Sequence, residues 1–595
     1  MKPAFDTFVG YARHWAEARP EAKAFGWLQD GEEETQSLTF RELDLRARAV
    51  AGCLQTHYAH AQNVILMFPP GLEFIPAFLG CMYAGKTPVP VNTPKRQQAM
   101  EKVRNIIEDC KATVCLSVGE LKSDVVAQSD LMGVSVQFDF VMVDGLFSDP
   151  ATWSGKWGQP DLRRDSIAFL QYTSGSTGNP KGVAVTHGNL IHNQTQIERA
   201  FGHDENTSMV GWLPLFHDMG LVGNVLQPIF NGFTDILMAP AAFIQKPIRW
   251  LRAISKYGAT TSGGPNFGYD LCVRKKPSDG LDDLDLRTWK VAFNGAEPVR
   301  AATVESFYNA YASHGMRRTA HFPCYGMAEA TLFITGGPHS QEPIVHTLDA
   351  NALERNILEP LQPAAITEGR SVRRIVGCGI PWLDQEIRIV NPNTFAACPP
   401  NEVGEIWVSG GNLSVGYWKD QELTESSFRA YTSDTGQGPY LRTGDLGYLS
   451  RMNLFVTGRL KDMIILNGRN HYPHDIEQTS EVCHAAFVAG GAAAFSVDKN
   501  GQEALIVFQE IRRSFIRGLD ENELGGLLRA AIIASHGINV TEIVFVKEGA
   551  VPKTSSGKVR RKACKAVFAS GAFERVGKTE LRSEAGTRKA MADSR

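Results

Sequence analysis

No apolar run in this 595-residue sequence approaches the roughly 18 residues that a membrane-spanning helix needs. The first ten residues lack the basic and then apolar order of a secretory signal, so a cytoplasmic protein without a membrane span is expected. No charge of one sign dominates. Lys plus Arg number 61 against 64 Asp plus Glu, which argues against nucleic acid as a partner and against a polybasic membrane surface. Cysteine is sparse: ten are scattered, and Cys110 and Cys115 have neither zinc-knuckle nor redox spacing. His471 and His474 lie three apart with no further ligand set, and read as polar loop residues rather than as metal ligands. Internal repeats and low-complexity tracts are missing as well.

What is present is length and a glycine-rich loop. Division by about 150 residues per domain leaves room for up to four domains or subdomains. Residues 172–182 read Y-T-S-G-S-T-G-N-P-K-G. Gly175, Gly178 and Gly182 let successive N–H groups face anionic oxygens, and Thr173, Ser174, Ser176 and Thr177 add hydroxyl donors. Lys181 adds a mobile cation. Apolar runs at 167–172 and 183–185 flank the loop as strands, which a flexible Gly/Ser linker would not have. The loop therefore reads as a polyphosphate cradle, and the chain as one that handles ATP.

A second stretch, G-C-M-Y-A-G-K-T at 80–87, matches the P-loop pattern in form only. Residues 72–83 carry helical spacing, Gly85 sits where a helix stops, and Pro88 and Pro90 force extended chain. Lys86 has no helix N-terminus to serve.

Short apolar strands at 63–68, 113–118, 140–143, 236–238 and 291–293 alternate with helical stretches, the pattern of parallel sheets covered by helices. Runs at 386–390 and 405–408 are hairpin-like. The class is α/β: a large N-terminal lobe over 1–460 with a β-rich subdomain, then a small mobile α+β lobe over 461–595. The boundary falls in G-R-L-K-D-M-I at 458–464. Beyond it, strands at 504–508 and 543–546 flank a helix near 522–535, and the polar tail at 577–595 has little to bury.

Five further segments join the glycine loop: W-L-P-L-F-H-D-M-G at 212–220, F-N-G-A-E-P at 293–298, Y-G-M-A-E-A-T at 325–331, T-G-D-L-G at 443–447 and P-K-T-S-S-G-K at 552–558. In this order they resemble the adenylate-forming superfamily of acyl-CoA synthetases, luciferases and nonribosomal adenylation domains, from about residue 5 to about residue 567. The resemblance implies ATP and Mg2+. It implies that Lys558, in the basic run 558–562, bridges the substrate carboxylate and the α-phosphate from the mobile lobe; a lysine suits this as a compact charge on a flexible stem. Glu329 resembles the magnesium-binding carboxylate. Tyr325, with Cys324, Gly326, Met327 and Ala328, would face adenine across from Asn294, Gly295, Ala296, Glu297 and Pro298. Asp445 and Arg459 resemble the ribose-binding pair, and Lys461 the hinge.

His217 and Asp218 would stand where the carboxylate substrate enters, His217 as a catalytic residue. In amino-acid adenylation domains an aspartate near here meets the substrate's amino group, a pattern this chain matches poorly. Trp212, Met219, Gly264 and Phe267, with Phe243, point to an uncharged acyl tail, although each residue also fits an ordinary core.

Two features resemble the fatty acyl-AMP ligases, which pass the acyl group to a carrier protein. One is N-G-R-N-H-Y-P-H-D-I-E at 467–477; CoA ligases usually carry a hydrophobic residue where Asn470 and His471 stand. The other is an insertion at about 345–372, with a helical-looking stretch at 348–361; by resemblance it packs between the lobes and hinders their rotation. The resemblance implies activation of a medium- or long-chain fatty acid and transfer to a separate acyl carrier protein with a phosphopantetheine arm. An acyl-CoA synthetase and a catalytically silent nucleotide- or lipid-binding relative are the alternatives. Intact Lys181, Glu329, Asp445 and Lys558 oppose the silent one.

Overall fold

The computed structural model describes residues 3–94, 97–121, 138–174, 180–362, 371–466, 469–499, 502–554 and 557–576. Gly175, Ser176, Thr177 and Gly178, residues 363–370 of the insertion and the tail from 577 lie outside the described residues.

The N-terminal 460 residues are built on an α/β frame. A parallel sheet orders Thr87–Val91, Asn63–Met67, Val114–Ser117 and Asp139–Met142. Its central strand N-V-I-L-M is buried on both faces, as helices on each side of a parallel sheet require. The P-loop-like stretch is the end of helix Phe74–Tyr83, a turn at Gly85 with φ of +71°, and the edge strand Thr87–Val91, where prolines are tolerated. Lys86 Nζ donates to the Ala59 carbonyl at 2.7 Å.

A nine-stranded sheet carries six parallel strands in the order His321–Gly326, Val291–Asn294, Thr261–Gly264, Ser208–Gly211, Thr234–Met238 and Lys23–Leu28, with antiparallel strands at its edges. Trp250, Tyr269, Trp289 and Phe307 pack edge-to-face and stacked beneath its middle, and the Trp250 indole donates to Ser262 Oγ at 2.7 Å. The glycine loop spans a hairpin, Ile167–Ser174 with Pro180–Thr186, as the flanking apolar runs predict. The second strand runs into helix His187–Phe201, whose N-terminus is closed by reciprocal Thr186 and Asn189 hydrogen bonds.

An antiparallel sheet of Glu386–Val390, Gly404–Ser409, Leu441–Ser450 and Asn453–Arg459 forms the β-rich part. Past it, Ile464, Ile476, Phe487, Leu505 and Leu528 share a buried cluster of their own, and Phe495, Phe508, Val544 and Cys564 share another. These sit on a three-stranded sheet, Phe487–Lys499, Gln502–Ile511 and Glu542–Lys547, with helices Pro473–Val482, Glu521–His536 and Arg561–Ser570. No helix among the described residues is long and apolar enough to cross a membrane.

The insertion differs from the helical expectation. Val345–Asp349 is a strand paired antiparallel with Val372–Val376, and within 348–361 only Ala350–Leu353 is helical. The pairing partner lies more than twenty residues on, so local periodicity could not reveal it. Asp349 caps the single turn by accepting the Ala352 N–H at 2.9 Å, and Asn356, at φ of +61°, turns the chain away. His471 and His474 differ too: His471 ends a short strand and is buried, and His474 lies in the first turn of helix Pro473–Val482, accepting from Arg373 at 2.8 Å.

Asp235 is fully buried; Asn224 donates to its Oδ2 at 3.0 Å, while its Oδ1 has no hydrogen-bond partner among the described residues. Burial pushes this carboxyl up to about 8. The folded state therefore keeps a proton that the unfolded chain loses at the free aspartate value, about pH 3.9. Stability contributed by the protonated group falls as pH rises between about 4 and about 8. Asp235→Asn should raise the thermal midpoint relative to the parent near pH 8, with the gap closing toward pH 4 in a series of melts. An equal gap at every pH refutes the assignment.

Candidate active site

The parallel strands of the large sheet place the site. Ligands of open α/β sheets bind outside the carboxyl ends of the strands. Here four neighbouring strands end, in spatial order, at Tyr325–Gly326, Asn294, Gly264 and Gly211, the last followed directly by Trp212. Motifs spread over more than a hundred residues in sequence thus stand along one edge.

At the first position the Tyr325 hydroxyl donates to Asp445 Oδ2 at 2.7 Å, and Arg459 Nε donates to Asp445 Oδ1 at 3.0 Å. Asp445 and Arg459 are register partners in the antiparallel sheet, which fixes the pair. Asp445 is buried and Arg459 exposed; the nearby carboxylate holds the guanidinium above its ordinary pKa despite desolvation. Next to Tyr325, Gly295 lies against Cys324: a Cβ at 295 would stand 2.8 Å from Cys324 Sγ. Asn294 is buried, Ala296 takes a φ of +68°, and Pro298 is exposed. Glu297 accepts the Phe267 N–H at 2.6 Å, tying this turn to the apolar end of the row, and burial raises its pKa.

Glu329 sits in a single 3₁₀ turn, Ala328–Ala330, after Met327, whose N–H bonds the Leu332 carbonyl at 2.8 Å. Thr331 follows at φ of +65°, a strained setting for a β-branched residue, and its hydroxyl donates to the Asn412 carbonyl at 2.7 Å. The Tyr417 hydroxyl donates to Glu329 Oε1 at 2.9 Å, and burial raises the pKa of the carboxyl against that bond and against Arg459. Lys181 Nζ lies 5.4 Å from the Tyr417 ring centre. Burial and then Lys461 press the Lys181 ammonium below its usual pKa, with Asp420 and Glu329 pulling the other way. Thr173 pairs with Lys181, and Ser174 with Pro180, in the hairpin register. Lys461, beyond Arg459, is exposed.

Tyr417 escaped the sequence reading. Nothing in G-Y-W at 416–418 marks it, and Glu329 lies 88 positions away. The signal is structural: residues 415–418 bond the second hairpin strand through the Ala184 and Gly182 carbonyls, which delivers Tyr417 to both Lys181 and Glu329.

At the apolar end, Trp212 stacks on Phe243 with ring centres 4.0 Å apart and meets Phe267 edge-on at 5.9 Å. Gly264 leaves room for this ring; a Cβ there would stand 2.5 Å from Trp212 Cζ2. His217 and Asp218 follow, Nδ1 and Oδ1 being 2.5 Å apart, and Met219 opens a π-helical turn over Met219–Leu226, a local widening frequent at functional sites. Burial opposes charge on Asp218, but His217 and then Lys558 outweigh it, and the carboxyl titrates below its ordinary range.

Lys558 arrives from the C-terminal elements. Its N–H bonds Thr554 Oγ1 at 3.0 Å, and Gly557, at φ of +85°, turns the chain against the Phe267 ring. Burial and then Arg459 lower the Lys558 pKa, while Asp218, Glu297 and Asp445 raise it. One ammonium thus feels carboxylates from three separate segments of the row. No group of three or more metal-binding side chains gathers among the described residues.

The profile of the AMP-binding enzyme family matches residues 12–418, and that of the Disco-interacting protein 2-like AMP domain matches residues 461–576. The medium-chain-fatty-acid–[acyl-carrier-protein] ligase JamA of Moorena producens is 42% identical over 583 residues, covering 96% of this chain and 97% of the relative. The ligase of the same description, TtuA, from Teredinibacter turnerae is 37% identical, with 94% and 92% covered. The crystal structure of a Legionella pneumophila fatty acyl-adenylate ligase in complex with acyl adenylate and pyrophosphate is 35% identical, with a TM-score of 0.72 over 95% of this chain and 96% of that one. The chain belongs to the AMP-binding enzymes, the adenylate-forming ligases, and within them to the fatty acyl-AMP ligases.

Proposed function

We propose that this chain joins a medium- or long-chain fatty acid to AMP and then passes the acyl group to the phosphopantetheine thiol of a separate acyl carrier protein. The observation that carries the reading is the row of strand ends where Asp445, bonded by Tyr325 and Arg459, shares an edge with Trp212 and Phe267, against which Gly557 brings the Lys558 turn. In the first step a fatty carboxylate oxygen bonds the α-phosphorus of ATP, the α–β bridging bond breaks, and pyrophosphate leaves with that electron pair. Two anions must meet for this, so cations that are fixed in place beforehand do most of the work. In the second step the carrier thiol, losing its proton, attacks the acyl carbonyl, and AMP leaves.

Asp445, oriented by Tyr325 and Arg459, is suited to accept both ribose hydroxyls. The wall of Tyr325 and Gly295 suits an adenine face. Lys181 suits the outer phosphates, and Trp212, Phe243 and Phe267 suit the apolar tail. Magnesium prefers one or two carboxylates plus phosphate oxygens; the Tyr417-held Glu329 fits that donor set, and the ion would offset phosphate charge there. The lobe boundary near residue 460, with Lys461 as hinge, belongs to the same reading and is supported by the separate buried clusters beyond Ile464.

Mass spectrometry of products from a panel of fatty acids with ATP and Mg2+ tests the function, in the presence of CoA or of a purified holo acyl carrier protein. Acyl-AMP and an acylated carrier without acyl-CoA are expected. Efficient acyl-CoA formation would make the chain an acyl-CoA synthetase instead.

A further inference from the structure

In the basic run at 558–562, Arg560 and Lys562 are exposed, while Lys558 and Arg561 are half-buried. Arg561 opens helix Arg561–Ser570, three residues past Lys558. Its guanidinium forks onto the buried Glu477, Nε to Oε1 and Nη2 to Oε2, both at 2.7 Å, and its Nη1 donates to Asp462 Oδ2 at 3.0 Å. Burial opposes this charge, but Glu477 and then Asp462 hold it, and the pKa stands above the ordinary arginine value. Two parallel bonds to one carboxylate and a third to another are what a planar guanidinium supplies and a lysine cannot.

Both carboxylates lead to parts that matter for the site. Glu477, in helix Pro473–Val482, also accepts the Ala494 N–H at 3.0 Å, which fixes it to the three-stranded sheet. Asp462 belongs to the turn after Arg459: its N–H bonds the Arg459 carbonyl at 3.2 Å, and Arg459 pairs with Asp445. The stretch that carries Lys558 is closed by the Arg560 N–H on the Pro552 carbonyl and by the Thr554 N–H on the Lys558 carbonyl, each at 2.8 Å. Glu510 holds one foot of this loop by accepting the Val551 N–H at 2.8 Å, and Arg561 holds the other. The long stem of a lysine delivers its charge to one place only when the backbone beneath it is fixed. Here the fixing runs through Arg561 to the turn that carries Arg459.

We propose that Arg561 is a positioning residue for Lys558: by bridging Asp462 and Glu477 it sets the Lys558 turn against the Arg459 turn, so that the ammonium and the Asp445–Arg459 pair meet one substrate at a fixed spacing. The proposal rests on the adenylation reading above and adds what holds its lysine in place. An arginine that only stabilised the C-terminal elements would affect adenylation and acyl transfer alike. One that acts through Lys558 affects adenylation alone.

The test compares the parent protein with Asp462→Ala and, separately, Arg561→Lys. The first removes one arm of the bridge and keeps the Glu477 fork; the second keeps a cation beside the buried Glu477 and loses the fork. Asp462 is partly exposed, so the thermal midpoint of Asp462→Ala should stay near that of the parent. In both variants kcat for pyrophosphate release with ATP and fatty acid should fall about 10–10²-fold, the cost of a misplaced catalytic group, with KM for ATP unchanged. Transfer from preformed acyl-AMP to a purified holo acyl carrier protein should keep the parental rate. Placed in the Lys558→Ala protein, neither substitution should slow pyrophosphate release further, because the group they position is gone. Parental pyrophosphate release by both variants, or further slowing of the Lys558→Ala protein by the same factor, overturns the positioning role and leaves the adenylation reading intact. Equal losses in adenylation and transfer overturn it as well, since a structural ion pair would produce them. No acyl-AMP from the parent protein overturns the adenylation reading, and the role of Arg561 with it.

Discussion

Lys558→Ala is expected to slow formation of the acyl-adenylate by about 10²–10³-fold, the usual cost of deleting one fixed charge-stabilising donor from an active site. The site itself argues for so large an effect. The ammonium is half-buried on a turn held by Thr554, and Asp218, Glu297 and Asp445 favour its charge. Lys181 and Arg459 remain in the variant, but in the proposed reading they meet the phosphate and ribose ends, and neither would replace a cation between carboxylate and α-phosphate. Lys558→Arg should not restore the rate, since a planar guanidinium is bulkier and needs a different set of acceptors. Binding of a non-hydrolysable ATP analogue should change little, because Asp445 and Tyr325 are untouched. Transfer from preformed acyl-AMP to carrier should also persist. Pyrophosphate release at the parental rate would remove Lys558 from the first step.

Local chemistry was readable wherever one short segment carried it. The hairpin around the glycine loop follows from apolar runs on both sides, and the false P-loop is exposed by the helix stop at Gly85 and the prolines after it. The active-site row was readable as motifs but not as an arrangement. That Tyr325, Asn294, Gly264 and Trp212 stand in this order depends on strand order, which places Ser208–Gly211 beside Thr261–Gly264 rather than beside its nearest preceding strand in sequence. Tyr417 was invisible because its function comes from contacts across the Glu329 turn and the hairpin. The insertion misled for a related reason. Leu348, Leu353 and Leu358 look helical in a window, yet Leu348 and Leu353 are buried against Tyr448 and Phe455 of the neighbouring sheet, a packing available to a strand with a distant partner.

Deleting residues 345–372 should let the enzyme form acyl-CoA. The structure joins the two features that set this chain apart in sequence: Glu354 takes Arg469 at 3.5 Å and lies 3.4 Å from His471, its carbonyl accepts the Asn470 N–H at 3.0 Å, and Asn470 Nδ2 reaches Asn356 at 3.2 Å. Just past the deleted span, Arg373 bonds the Thr457 carbonyl at 2.8 Å, pairs with Asp475 at 3.1 Å and stacks 4.2 Å over Tyr472. The partly buried Arg373–Asp475 pair opposes a rotation about Lys461, while the exposed Arg469–Glu354 pair adds little. Release of that brace should let the small lobe turn and admit CoA to the adenylate. Because the deletion also uncovers Tyr448 and Phe455, Glu354→Ala/Arg373→Ala serves as a second variant that keeps the core. Both should adenylate near the parental rate and yield acyl-CoA. If both adenylate normally and neither makes acyl-CoA, the insertion is not what holds the lobes.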